Sequence, residues 1–213
     1  MILGTIADDF TGGTDMAGML HAAGARTAVV FGDGEVPEGY DAAVICLKSR
    51  ALPAGEAVQH TLDAFTRLRG HEPRQYYFKY CSTFDSTPKG NIGPVIDALL
   101  NELGEPFTIA CPALPVNGRT QYMGHLFVDG VPLAESHMRT HPLNPMTDSN
   151  LVRWLQRQTP SRVGLLRLAS VVGDVAAEAE RLRRDGVEIA LADAVTDADL
   201  ATLARAFAEL PLV

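Results

Sequence analysis

Ile6-Ala7-Asp8-Asp9-Phe10-Thr11-Gly12-Gly13-Thr14-Asp15 carries an apolar stretch straight into a pattern of helical period and leaves two carboxylates at the junction. Ile2 to Ala7 is short and almost wholly apolar, as in a strand covered on both faces. Met16, Met19, Leu20 and Ala23 then recur at helical spacing until Gly24. A strand that passes at once into a helix is the unit of a parallel sheet, and it puts Asp8 and Asp9 at the strand's carboxyl end. Gly12 and Gly13 let backbone amides approach a ligand closely, and the start of the helix favours negative charge. The turn is therefore predicted to hold an anion beside two carboxylate acceptors, a mixture that suits a polyhydroxy acid. A plainer reading makes Thr11 or Asp15 a helix cap and leaves Asp8 and Asp9 solvated. A metal-dependent phosphatase loop fits less well, because it wants Asp-x-Asp and here the carboxylates are adjacent and followed by Phe10.

Outward from this junction, Thr27 to Phe31 and Ala42 to Leu47 read as the second and third strands, the latter emptying into Lys48-Ser49-Arg50. The fork of donors on Arg50 can hold a carboxylate in two-point contact, although a surface Arg is the simpler alternative. A helix carrying Val58, Leu62, Phe65 and Leu68 on one stripe ends at Gly70. Gln75 to Lys79 is the fourth strand. It opens the polar loop Lys79-Tyr80-Cys81-Ser82-Thr83-Phe84-Asp85-Ser86-Thr87-Pro88-Lys89-Gly90-Asn91, in which Asp85, Ser86 and Thr87 offer donors and acceptors at consecutive positions. Asn91 is expected to cap the next helix, with Pro94 in the first turn and Val95, Ile96, Leu99, Leu100 and Leu103 facing the core before Gly104.

Phe107 to Cys111 is the fifth strand and runs into Asn117-Gly118-Arg119 and then Gly124-His125. Arg119 can neutralise a carboxylate or phosphate, and His125 is either a structural histidine or an acid/base group. Leu126 to Leu133, centred on Asp129-Gly130, predicts a hairpin that Pro132 confines to an edge. His137 and His141 have the spacing of metal ligands on one helical face, but Pro142 disfavours helix there, so a lid or loop over the cleft is the expectation. Thr147 is expected to cap a helix through Leu151, Val152 and Leu155. Two plain β/α units complete the pattern: Val163 to Leu166 with a helix from Ser170 to Arg184 closed by Gly186, then Val187 to Ala192 with a helix from Thr196 to about Leu210. Asp193 follows the last strand, within reach of the cleft.

The 213 residues are 46% hydrophobic and 21% charged, an ordinary balance for a compact domain. Eighteen basic residues against 26 acidic ones leave a net charge of −8, and no basic cluster with interleaved aromatics points to nucleic acid. No apolar run approaches the roughly 18 residues of a membrane span, and the amino terminus reads as the first strand rather than as a signal peptide, so a cytoplasmic protein is expected. Cys46, Cys81 and Cys111 lack a Cys-x-x-Cys pair and fall in or just after strands, as small buried hydrophobes; a reactive thiol is the minor alternative. The fold expected is α/β: an open, mainly parallel, doubly wound, Rossmann-like sheet with an inserted β-hairpin. In such sheets ligands bind beyond the strand carboxyl ends, where Asp8, Asp9, Arg50, Lys79, Asp85 and Arg119 all fall.

At these residues the chain resembles the four-carbon acid sugar kinase family. The likeness lies in Ile6-Ala7-Asp8-Asp9-Phe10-Thr11-Gly12 with Asp15, in Lys79 to Thr87 with Gly90-Asn91-Ile92-Gly93, and in Asn117-Gly118-Arg119. It continues in Gly124-His125-Leu126-Phe127, in His141-Pro142-Leu143, and in Met146 to Leu151. It covers essentially the whole chain. The resemblance implies ATP-dependent phosphorylation of the terminal hydroxyl of a four-carbon acid sugar, with the acid held by an amino-terminal domain and ATP and Mg2+ by a carboxyl-terminal one. Residues 1–213 would be the first domain alone: there is no Gly-x-x-x-x-Gly-Lys loop, and relatives are expected to continue beyond Leu210-Pro211-Leu212-Val213. On the matching positions, Asp8, Asp9 and Lys79 are assigned to catalysis, with Asp8 or Asp9 orienting the attacking hydroxyl. Thr11, Arg50, Asp85, Ser86, Thr87, Asn117, Gly118, Arg119 and His125 are assigned to the substrate, the two arginines to its carboxylate. No metal ligand is assigned within the chain. Lys48 stands where an acidic or small polar residue would be expected. A standalone acid-sugar sensor and a small metal-dependent hydrolase are the alternative functions, and a homo-oligomer is an open expectation.

Overall fold

Residues of alternating faces build the first sheet. In β1 (Leu3–Ala7), β2 (Thr27–Phe31), β3 (Ala42–Cys46) and β4 (Gln75–Lys79), successive side chains point to opposite sides. Ala7, Val44 and Cys46 meet Ala17 of α1 (Phe10–Ala22) on one face. Ile6, Ala43 and Ile45 meet Ala57, Ala64, Phe65 and Leu68 of α2 (Ala54–Arg69) on the other. The strands are parallel in the order β2-β3-β1-β4; the central β1 and β3 are covered on both sides, while Val29 and Phe31 of the edge strand β2 are exposed. The computed structural model describes all 213 residues.

The chain then passes through α3 (Ile92–Leu103), whose left-handed stop at Gly104 (φ 68°) matches the sequence, to β5 (Thr108–Ala110). An antiparallel meander follows: β6 (Arg119–Tyr122), β7 (His125–Val128) and β8 (Val131–Pro132). The Asp129-Gly130 turn has both residues at positive φ (52° and 80°), the hairpin that Asp-Gly specifies, and Pro132 lies on the edge strand. The sequence reading saw this hairpin but not β6, whose turn at Met123-Gly124 is also left-handed (φ 51° and 74°). After α4 (Leu151–Gln156) come β9 (Val163–Leu166), α5 (Leu168–Val171), α6 (Val175–Arg184), β10 (Ile189–Ala192) and α7 (Asp197–Ala206).

β5, β10 and β9 form a second parallel sheet. Ile189 and Leu191 enter the large core shared with the first sheet, while Ala190 and Ala192 face a second core with Leu182 of α6 and Leu203 of α7. Pro211 to Val213 lie along β4: Tyr76 N donates to Pro211 O at 2.7 Å, and Val213 N donates to Tyr76 O at 3.0 Å. Thr108 Oγ1 donates to Leu212 O at 2.8 Å, so this terminal segment joins the two sheets.

Several local expectations are corrected. Asp9, not Thr11 or Asp15, caps α1, because it alone lies where a side-chain oxygen reaches Gly12 N (2.8 Å). Met19 is 47% exposed, since the narrow face of α1 turned to the sheet is formed by Gly13 and Ala17. Asn91 occupies the cap position of α3 but makes no capping bond; its amide donates instead to the carbonyls of Ser49, Arg50 and Leu52. Asn150 rather than Thr147 caps α4, accepting from Arg153 N at 2.9 Å. The single helix expected over Ser170 to Arg184 is two, divided where Asp174 caps α6 by accepting from Ala177 N at 2.9 Å.

Candidate functional site

The chain leaves β1 towards β2 on one side and leaves the neighbouring β3 towards β4 on the other. A reversal of this kind opens a crevice at the carboxyl ends of the two strands, the usual ligand position in open α/β sheets. Asp8 follows β1 and Arg50 follows β3. The backbone of Asp8 binds both neighbours, accepting from Ser49 N (2.9 Å) and Arg50 N (3.2 Å) and donating to Lys79 O (3.0 Å).

Arg50 is the hub. Its Nε and Nη2 donate to Asp8 Oδ2 (3.0 Å) and Oδ1 (2.7 Å), and Nη2 also lies 2.8 Å from Asp9 Oδ1. Asp8 is 3% exposed. Burial raises its carboxyl pKa above the ordinary value, against the opposing pull of the Arg50 guanidinium. Burial works against the Arg50 charge, yet the hydrogen-bonded Asp8 carboxylate holds the guanidinium pKa above its ordinary value. Asp9 Oδ1 accepts from Gly12 N, while its Oδ2 makes no hydrogen bond. Lys79 Nζ donates to Tyr80 O at 2.7 Å.

The Lys79–Asn91 loop brings a third carboxylate. Phe84, fully buried and at φ 54°, holds a left-handed backbone that bulky side chains rarely adopt, secured by edge-on packing on Tyr80. Asp85 follows it, with Oδ2 4.0 Å from Arg50 Nη1 and Oδ1 accepting from Asn144 Nδ2 at 2.9 Å. His141 Nδ1 lies 3.7 Å from Asp85 Oδ1 and accepts from Asn144 N at 3.2 Å. The Pro- and His-rich segment thus fastens to the site through Asp85. Asn144 was missed in the sequence; its one signal there was an amide side chain among prolines.

Asp8, Asp9, Arg50, Lys79 and Asp85 therefore come together, three carboxylates with two cations. The side chains of the other expected residues make no hydrogen bond or ion pair with these five. Ser86 is 3% exposed and its hydroxyl donates to Phe84 O and accepts from Trp154 Nε1 (3.3 Å) and Gln158 Nε2 (2.9 Å). That uses its one donor and both lone pairs within the protein. Thr87 Oγ1 accepts from Lys89 N within the loop's own turn. Thr11 is exposed in the first turn of α1.

Arg119 pairs with Val128 and His125 with Tyr122, at opposite ends of the β6–β7 ladder, about 10 Å apart at the rise of a strand. Arg119 Nη1 donates to Asn117 O, and His125 Nδ1 donates to Met123 O at 2.9 Å. Gly118 (φ 72°) serves the hairpin, since a Cβ there would meet Asp129 Oδ1. Asp193, expected near the cleft, is fully buried and holds the meander: it accepts from Met123 N (2.8 Å), Gly124 N (2.9 Å) and Leu168 N (3.1 Å). A hollow of about 460 Å³ bordered by Asn150, Val152, Arg153, Gln156, Arg157 and Leu165 holds none of the converging groups.

The model of the sugar-binding N-terminal domain family matches residues 3–212. The 3-oxo-tetronate kinase of Burkholderia multivorans is 57% identical over 220 residues, covering 100% of this chain and 51% of the relative. That of Escherichia coli is 49% identical, over 99% of this chain and 56% of the relative. The chain spans about half the length of the curated relatives it matches. Among solved structures, a Haemophilus influenzae protein superposes with a TM-score of 0.96 at 47% identity, over 99% of this chain and 52% of that one. A Bordetella bronchiseptica protein, solved with bound citrate as a domain-swapped dimer, gives 0.81 at 29% identity, over 100% of this chain and 52% of that one. By its sequence from residue 3 to 212 and by its fold, this chain belongs to the sugar-binding N-terminal domain family.

Proposed function

We propose that this chain is the acid-binding half of an ATP-dependent kinase that phosphorylates the terminal hydroxyl of a four-carbon acid sugar, turning 3-oxo-tetronate into 3-oxo-tetronate 4-phosphate. The observation that carries the reading is the gathering of Asp8, Asp9, Arg50, Lys79 and Asp85 at the carboxyl ends of three neighbouring strands, in a chain that matches half of each 3-oxo-tetronate kinase. The Bordetella bronchiseptica neighbour's bound citrate, a small hydroxy acid, supports the same ligand class, and its dimer supports self-association.

In this reading Arg50 Nη1, which makes no hydrogen bond, and Lys79 Nζ meet the substrate's negative charge, and Asp85 takes its inner hydroxyls. One of the adjacent carboxylates, Asp8 or Asp9, serves the terminal hydroxyl. The meander residues Asn117, Gly118, Arg119 and His125 lie outside this set.

No three His, Cys, Asp or Glu side chains are disposed to hold a metal ion, and no Gly-x-x-x-x-Gly-Lys loop is present. The reading assigns ATP and Mg2+ to a second, nucleotide-binding half. Phosphoryl transfer depends on positioning and on cations around the moving group, so this half alone binds acid and transfers almost nothing. No helix is long and apolar enough to cross a membrane, and a cytoplasmic setting goes with the proposal.

Calorimetric titration of the 213-residue chain with 3-oxo-tetronate, with and without ATP and Mg2+, tests it. Binding of the acid that ATP leaves unchanged is expected. Absence of acid binding overturns the reading.

A further inference from the structure

Two adjacent glycines in α1 do different work. A methyl group on Gly13 would lie 2.3 Å from Cys46 Sγ and 3.1 Å from Ala7 Cβ, so this glycine lets the helix approach the sheet. A methyl group on Gly12 would point instead into the site, 2.7 Å from Asp9 Oδ1, 3.4 Å from Lys79 Nζ and 3.9 Å from Arg50 Nη2. Gly12 is helical with an ordinary φ, so its backbone does not require glycine, and a glycine inside a helix is destabilising relative to alanine. That methyl position is hemmed in by one carboxylate, one ammonium and one guanidinium.

The groups around that space differ in what they have left to offer. Both oxygens of Asp8 accept from Arg50, and Asp8 is 3% exposed. Asp9 has a side-chain exposure of 27% and an Oδ2 without a partner. Lys79 Nζ uses one of three donors, on Tyr80 O.

We propose that the ligand of this site sits directly over Gly12 between Asp9 and Lys79, and that the adjacent carboxylates divide the work: Asp9 accepts the ligand's terminal hydroxyl, and Asp8 acts only through Arg50. This rests on the acid-sugar reading above. Gly12 is then a specificity-determining residue, because a side chain there would press on Asp9 and Lys79, the two groups that hold the ligand. Asp8 is a positioning residue, whose part is to hold the guanidinium against Asp9.

The test is calorimetric titration of the 213-residue chain with 3-oxo-tetronate and with its 4-deoxy analogue, with each variant's fold checked by circular dichroism. Wild type is expected to favour the hydroxylated acid by about tenfold or more, the equivalent of one hydrogen bond to a charged group. Asp9→Asn, which keeps the helix cap, erases that preference while retaining the affinity for the deoxy acid. Asp8→Asn weakens both acids alike and keeps the preference. Gly12→Ala binds neither while folded, whereas Gly18→Ala, in the same helix with nothing within 4 Å of its added carbon, binds as wild type does.

Loss of the preference in Asp8→Asn with its retention in Asp9→Asn overturns the division of labour. Wild-type affinity in Gly12→Ala overturns the placement. A wild-type chain that binds neither acid overturns the acid-sugar reading itself, and this proposal with it.

Discussion

Arg50 and Asp8, 42 residues apart in the chain, form a two-point ion pair with Nε 3.0 Å from Oδ2 and Nη2 2.7 Å from Oδ1, the Asp8 side chain being 4% exposed. Removing one partner of such a buried pair strands the other's charge, which typically costs about 3–5 kcal/mol. Arg50→Ala is therefore expected to lose about that much in urea denaturation at neutral pH, and Asp8→Ala/Arg50→Ala less, since neither charge remains. The sign with pH follows from the raised Asp8 pKa. A carboxyl whose pKa is higher folded than unfolded favours the fold in its protonated form, so stability is lost as pH rises through the folded value. Without the Arg50 guanidinium, which pulls the Asp8 pKa down, burial raises it further, so the variant gains more than wild type as pH falls and the Arg50→Ala deficit should shrink on acidification.

Ser86 separates stability from binding. Ser86→Ala leaves the Trp154 and Gln158 donors without their acceptor in a buried setting, at a cost of about 1–3 kcal/mol. Its affinity for the acid should equal that of wild type, as measured by calorimetry beside a thermal melt. A large loss of affinity in a variant that melts normally would return Ser86 to the ligand set.

Gly13→Ala forces a carbon against Cys46 Sγ, and overpacking of this kind costs about 1–3 kcal/mol. Cys46→Ala should relieve most of it. The double variant should then lose less than the two single variants together in a chemical-denaturation cycle.

Asp41 and Arg26 tie the beginnings of β2 and β3: Asp41 accepts from Arg26 Nε, Nη2 and backbone N at 2.9–3.0 Å. Hydrogen bonds from Arg26 pull the Asp41 pKa down to about 2. A carboxylate lowered in the fold adds stability above its unfolded pKa, near 3.8, and loses it as pH falls towards the folded value. Asp41→Asn should thus melt lower than wild type at pH 7, and the two melting curves should converge near pH 2.

Most strands were legible because the local pattern decides them: Gln75–Lys79 and Val163–Leu166 carry the boundaries expected from composition alone. Helix caps were less legible. Asp9, Thr11 and Asp15 are all competent caps by residue type, and the orientation of the backbone after β1 chose Asp9. β6 was hidden because its partners beyond β7 are distant in the chain: Gln121 pairs with Ala194, and the turn after it is held by Asp193, 70 residues from Met123.

The sequence by itself determined the α/β alternation and the delivery of Asp8, Asp9, Arg50, Lys79 and Asp85 to the carboxyl ends of strands, since period and turn chemistry act over a few neighbouring residues. Tertiary structure alone decided which polar groups are still free. Ser86 and Asp193 look as reactive in the sequence as Asp9 does, but hydrogen bonds from residues 68 to 72 and 25 to 70 positions away fill their capacity. The two sheets were likewise decided by packing, where Leu212 enters between β4 and β5, because pairing between distant segments depends on which edges the assembled core leaves open.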